Sequence, residues 1–231
     1  MKINSKQIIC ALDFDDFSKA ANFIKAVDYD IVYKVGMEFF YRFGIEGIRK
    51  IRKVKKDLKL FLDLKLHDIP NTVSKGIKAI EKLKPLLTTI HISGGDEMMR
   101  ASIIERKKTK ILGVSVLTSL DSRQTKKYYN EKNIKNLVKK FVKQARKLGL
   151  DGIVCSPKEI KYVRQETGKN FLIVTPGIRI NKSEQKKDDQ KRVLSPIEAI
   201  KLGANLIVIG RPITKSNNPL ESLKKINKSL A

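Results

Sequence analysis

Eight short apolar runs, rich in β-branched residues and separated by stretches of helical spacing, constrain this chain more than any other feature. They are Gln7–Phe14, Asp30–Val35, Lys59–Leu66, Thr88–Ser93, Ile111–Leu117, Gly152–Ser156, Phe171–Pro176 and Asn205–Gly210. Runs that are apolar almost throughout suit strands of a parallel sheet covered on both faces. Between them, Phe17–Val27, Phe39–Lys53, Pro70–Leu83, Ile134–Leu148 and Pro157–Gln165 carry apolar residues at helical intervals. Pro70 and Pro157 fall where a first-turn proline is tolerated. Eight alternations in 231 residues predict a single-domain (β/α)8 TIM barrel spanning 1–231. A doubly wound open sheet is the competing architecture, and it calls for a glycine-rich turn after an early strand. The first run ends instead in Ala11-Leu12-Asp13-Phe14-Asp15, without a glycine. No internal repeat, low-complexity tract or linker divides the chain.

In such a barrel the C-terminal ends of the strands build the active site, and there charge interrupts the apolar runs. Asp13 ends the first run, Lys34 breaks Ile31–Val35, and Asp63 and Lys65 break Leu60–Leu66, with Asp68 following in the next loop. Strand alternation puts Asp63 and Lys65 on one face. Inward charges are costly unless paired, so these residues are expected to form a network of alternating sign. Flanked by Asp63 and Asp68, Lys65 is expected to stay an ammonium, since opposite charges favour that form. Such a group suits proton delivery to a carbanion. A mouth salt bridge without chemistry would explain one such pair more readily than five charges at three strand ends. His67 and His91 have no partner ligands in the sequence and read as local structural residues, with Ser93-Gly94-Gly95 after His91 forming the turn into a helix.

The last two strands carry a second signal. Strand seven ends in Thr175-Pro176-Gly177-Ile178-Arg179 and strand eight in Ile209-Gly210-Arg211-Pro212. Phosphate sites in these barrels commonly use the loops after strands seven and eight. Gly177 and Gly210 allow backbone N–H groups to approach an anion, and Arg179 and Arg211 can bond its oxygens. Between Arg179 and Ser195 the chain is polar and aperiodic, which beside a phosphate site predicts a lid at 180–194.

Composition narrows the remaining classes. No apolar run approaches the ~20 residues of a membrane helix, and the polar start Met1–Lys6 leads into an apolar stretch too short for a secretory signal, so a cytoplasmic protein is expected. Cys10 and Cys155 have no metal-ligand spacing and read as buried, reduced thiols. The formal charge of +25 would serve nucleic-acid binding. Its lysines are scattered along the chain with no nucleic-acid-binding motif, so most read as solvated helix faces. A non-enzymatic nucleic-acid-binding protein is therefore the remote alternative.

Across nearly its whole length the chain resembles the orotidine 5′-phosphate decarboxylase family. The segments that carry the resemblance are Ala11-Leu12-Asp13, Lys34-Val35-Gly36, Asp63-Leu64-Lys65-Leu66-His67-Asp68-Ile69-Pro70-Asn71-Thr72, Val116-Leu117-Thr118-Ser119, Pro176-Gly177-Ile178-Arg179, Asp189-Gln190 and Gly210-Arg211-Pro212. The resemblance implies cofactor-free, metal-free decarboxylation of orotidine 5′-phosphate to UMP, in pyrimidine biosynthesis. It implies that Asp13 and Lys34 hold the ribose hydroxyls, that Asp63 lies near the departing carboxylate, and that Lys65 protonates C6. Thr118 would contact the base, and Arg179, Gln190, Gly210 and Arg211 the phosphate. Asp68 and Thr72 would enter the neighbouring subunit's site, making the enzyme a homodimer. The family's lid usually reads Gly-Asp-Gln, whereas this chain has Asp188-Asp189-Gln190. A Mg²⁺-dependent sugar-phosphate decarboxylase or aldolase with the same Asp-x-Lys-x-x-Asp core is the nearer alternative.

Overall fold

The computed structural model describes residues 7–179 and 194–230. Eight parallel strands close into a barrel in chain order: β1 (Ile8–Ala11), β2 (Val32–Val35), β3 (Lys59–Leu66), β4 (Leu87–His91), β5 (Lys110–Val114), β6 (Gly152–Val154), β7 (Leu172–Thr175) and β8 (Leu206–Ile209). The pairing of β8 with β1 completes the ring. Around it run α1 (Phe17–Ala26), α2 (Met37–Val54), α3 (Pro70–Glu81), α4 (Asp96–Ile104), α5 (Ser122–Tyr129), α6 (Ile134–Lys147), α7 (Ile160–Thr167), α8 (Pro196–Leu202), α9 (Arg211–Thr214) and α10 (Pro219–Leu230). This is the (β/α)8 barrel that the alternation predicts.

Strand alternation sorts the apolar residues into two cores. Ile8, Cys10, Tyr33, Leu60, Leu62 and Ile90 point outward and pack under the helices. Ile9, Val32, Phe61, Leu87, Leu112 and Val174 point inward and fill the barrel itself. Two residues further along several strands, the same inward positions turn polar: Lys34 after Val32, Asp63 after Phe61, Thr89 after Leu87. The inner core is thus a plug, and the site is built on top of it.

Local chemistry sets the element ends. Asp16 caps α1 by accepting the Lys19 N–H at 2.9 Å. Pro70 opens α3. Ser195 and Glu198 form a capping box at the start of α8. The helix expected at Phe39–Lys53 runs Met37–Val54 but breaks at Gly44, whose φ of 59° and ψ of −155° are not helical. The helix expected at Pro157–Gln165 divides into a 3-10 turn, Pro157–Glu159, and α7. Several strands stop short of their apolar runs, and Asp13 lies two residues beyond β1 rather than at its end. Apart from Leu194, the expected lid and Gln190 lie outside the described residues. Leu194 forms a parallel bridge with Ile178 and accepts the Arg179 N–H at 3.0 Å.

Candidate active site

A cavity of about 340 Å³ opens above the inner core at the C-terminal ends of the strands. Its apolar floor comes from Phe61, Val114, Val154 and Val208. Asp13, Lys34, Asp63 and Lys65 line one part of its wall, and Arg179, Gly210 and Arg211 another, with Thr118 also on the wall. Residues from β1, β2, β3, β5, β6 and β8, and from the loop after β7, thus meet in one space.

The acidic and basic groups at β1, β2 and β3 form a connected row. Lys34 Nζ stands 3.5 Å from Asp13 Oδ1 and 3.6 Å from Asp63 Oδ2, and Lys65 Nζ donates to Asp63 Oδ2 at 2.8 Å. Asp63 is only 7% exposed. Burial opposes its ionisation, but the Lys34 and Lys65 ammonium groups, with hydrogen bonds from Lys65 and Thr89, outweigh it. Its carboxyl is held below the usual carboxylate range. The expected network of alternating sign is present for these four residues.

Lys65 is presented by a break in the sheet. Phe61 pairs with Leu87 and Leu62 with Thr88, after which pairing resumes only at Leu66 with Ile90. Asp63, Leu64 and Lys65 therefore face Thr89 alone, a bulge of the kind that re-aims side chains beside active sites. Within it Lys65 takes a left-handed backbone, φ 52°, uncommon for a residue with a side chain. Thr89, fully buried, holds both ends of the distortion. Its hydroxyl donates to Asp63 Oδ1 at 2.9 Å and accepts the Lys65 N–H at 2.9 Å. Thr89 was not singled out by the sequence. Its only signal is an inward strand position two residues beyond the core residue Leu87.

At the other wall, Gly177 takes φ 78°, which a side chain would resist, and turns the chain so that Arg179 lines the cavity. The Arg179 guanidinium donates to the Ile178 carbonyl at 2.9 Å. Gly210 precedes α9, whose first residue is Arg211. Cys155 and Ser156, also unremarked in the sequence as site residues, complete the lining beyond β6. Burial, then the Glu159 charge, holds the Cys155 thiol well above its ordinary pKa, so it is an inert wall.

Asp68 and Thr72 stand outside the cavity. Both are exposed, and Asp68 Oδ1 accepts the N–H of Ile69 at 2.7 Å. Within one chain the row of charges therefore contains four members, and Asp68 is not the fifth. His67 and His91 lie side by side, ring centroids 5.2 Å apart. Among the described residues, no group of three or more His, Cys, Asp or Glu side chains is gathered as for a metal ion, and no helix is long and apolar enough to cross a membrane.

The chain matches the family model described as orotidine 5′-phosphate decarboxylase / HUMPS family over residues 6–226. It is 46% identical over 226 residues to a protein of Wolbachia pipientis subsp. Culex pipiens (strain wPip) named orotidine 5′-phosphate decarboxylase, covering 96% of this chain and 98% of that one. A Staphylococcus aureus protein of the same name is 43% identical over 226 residues, with 96% of each chain covered. The crystal structure of orotidine 5′-phosphate decarboxylase from Lactobacillus acidophilus superposes with a TM-score of 0.84 at 34% identity, covering 97% of this chain and 99% of that one.

Proposed function

Since the chain belongs to the orotidine 5′-phosphate decarboxylase / HUMPS family, we propose that it converts orotidine 5′-phosphate to UMP and CO₂, with Lys65 as the proton donor. The observation that carries this reading is the row Asp13–Lys34–Asp63–Lys65 sharing one cavity with Arg179 and Arg211. A cavity with anion-binding groups at one wall and an ordered ammonium at another fits a substrate with a phosphate and a second, reacting carboxylate.

In this reading Arg179, Arg211 and the backbone at Gly210 grip the phosphate, and Gln190 closes on it from the 180–194 segment. Asp13 and Lys34 take the ribose hydroxyls, and Thr118 the base. Binding energy from these remote contacts holds the ring so that its carboxylate meets the Asp63–Lys65 pair. The C6–carboxylate bond breaks with its electron pair left on C6, where the fixed Lys65 ammonium stabilises the developing carbanion. The ammonium then gives its proton to C6, and the amine regains one from solvent. Asp63 keeps Lys65 oriented throughout. The exposed Asp68 and Thr72, flanking the 65%-exposed Ile69, fit a role in a neighbouring subunit's site, so the working form is a homodimer.

The test is the loss of orotidine 5′-phosphate absorbance in the presence of EDTA. Turnover to UMP unaffected by chelator is the expected result. No turnover of this nucleotide, or turnover abolished by EDTA and restored by Mg²⁺, would overturn the reading and favour the sugar-phosphate alternative.

A further inference from the structure

The two histidines continue the ladder that presents Lys65. Pairing between β3 and β4 resumes at Leu66 with Ile90, so one residue further His67 comes opposite His91. Their rings meet at 5.2 Å and 37°, just past the bulge. Thr89 holds the bulge at its centre through Asp63 and the Lys65 N–H. His67 and His91 lie at its downstream end. His67 is exposed and His91 half-buried, and Gly94, in the turn before α4, lies close to the His67 ring: a side chain there would come within 3.2 Å of His67 Cδ2 and collide with Met98.

We propose that the His67–His91 pair is a positioning device for Lys65, holding the downstream end of the bulge only while the part-buried His91 ring is uncharged. A left-handed lysine backbone persists only where its surroundings over-determine it. A charged His91 ring would repel the Lys65 ammonium, loosening that constraint. The charged and titratable groups acting on His91 are His67, and Lys65 and Asp63 from β3. On its other side β5 places Val114 in register with it, an apolar neighbour. Asp68, which accepts the Ile69 N–H, follows His67 directly and keeps its negative charge beside that ring, but it is not among the groups acting on His91. Burial, then His67 and Lys65, pushes the His91 pKa below its ordinary 6.5, against the pull of Asp63. The fold therefore favours the neutral ring, and its constraint weakens as pH falls below 6.5 toward the depressed value.

The inference rests on the decarboxylase reading, and the experiment separates the two. Steady-state kinetics with orotidine 5′-phosphate would be run from about pH 8 to about pH 5 on the native chain, His91→Gln and His67→Gln. The native kcat is expected to fall on the acid side with a slope approaching about tenfold per pH unit, with KM moving less because Lys65, not the phosphate grip, is displaced. His91→Gln, unable to gain a proton there, should flatten that acid limb, and His67→Gln, which removes a group that holds the His91 pKa down, should move it to higher pH. An acid limb unchanged in both variants would overturn the proposal, whereas a native chain inactive at neutral pH would overturn the decarboxylase reading instead. An activity-independent check uses the chain's two histidines, whose ring signals can be followed individually by NMR. His67→Gln should raise the His91 titration midpoint, and a midpoint that does not move would show that the rings are uncoupled and sink the idea.

Discussion

Thr89 shows how much of the proposed chemistry depends on a residue that would touch no substrate. Its hydroxyl spans Asp63 Oδ1 and the Lys65 N–H, both at 2.9 Å, at the point where β3 leaves its register. Replacing it with valine keeps the shape and removes both bonds, leaving a buried N–H and a buried carboxylate oxygen short of a partner. Thr89→Val is expected to cost about 1–3 kcal/mol of stability and to lower kcat by more than it raises KM, since Lys65 loses its fixed presentation. Urea unfolding with parallel kinetics checks this, and unchanged kcat would show that Thr89 does not position the lysine. Asp63, Lys65 and Lys34 were legible as charges inside apolar runs, where desolvation demands a reason for them. Thr89 was not, because threonine is ordinary in a strand and its role arises from a register shift against β3, more than twenty residues away in the chain. No local pattern encodes that shift.

Among elements, the eight strands were legible because each is buried on both faces, which leaves an almost unbroken apolar signature. Their ends were not. The apolar runs at Ile111–Leu117 and Gly152–Ser156 outlast β5 and β6: Ser115 and Cys155 still donate their N–H groups to Val154 and Val174 of the next strands, and Val116, Cys155 and Ser156 go on to line the cavity. Periodicity reports burial, and Val116, Cys155 and Ser156 stay buried beyond the strand ends. α5 carries little apolar signature, since Ser122–Tyr129 is short and polar with little buried besides Thr125, and it is fixed by the Asp121–Gln124 capping box rather than by an apolar face. β6, three residues long, depends on close approach to its neighbours. A Cβ at Gly152 would run into the Leu172 carbonyl and reach 2.9 Å from Leu112 Cδ2. Gly152→Ala is therefore expected to destabilise the barrel by about 1–3 kcal/mol, read as a lowered melting temperature. A melting temperature equal to that of the native chain would mean that β6 and β7 have slack.

On the scale of the whole molecule, barrel closure is what makes a site from residues as far apart in sequence as Asp13 and Arg211. The fold class and this convergence were legible from the alternation alone, since a closed barrel brings every strand end to one rim. What one chain leaves outside the cavity is Asp68, which the sequence grouped with the other four charges and the structure sets on the exposed rim. If Asp68 completes the partner's site, Lys65→Ala and Asp68→Ala chains, each nearly inactive alone, should recover about a quarter of the native sites when co-refolded as mixed dimers. A mixture no more active than its components, with mixed dimers present, would assign Asp68 to its own subunit or to no site. That Lys65 supplies the proton to C6 is tested by single-turnover decarboxylation by Lys65→Ala, with UMP binding measured by calorimetry on the same sample. The expected outcome is a loss of at least about 10²–10⁴-fold in the chemical step with UMP still bound. A Lys65→Ala chain that decarboxylates orotidine 5′-phosphate at a near-native rate would contradict it.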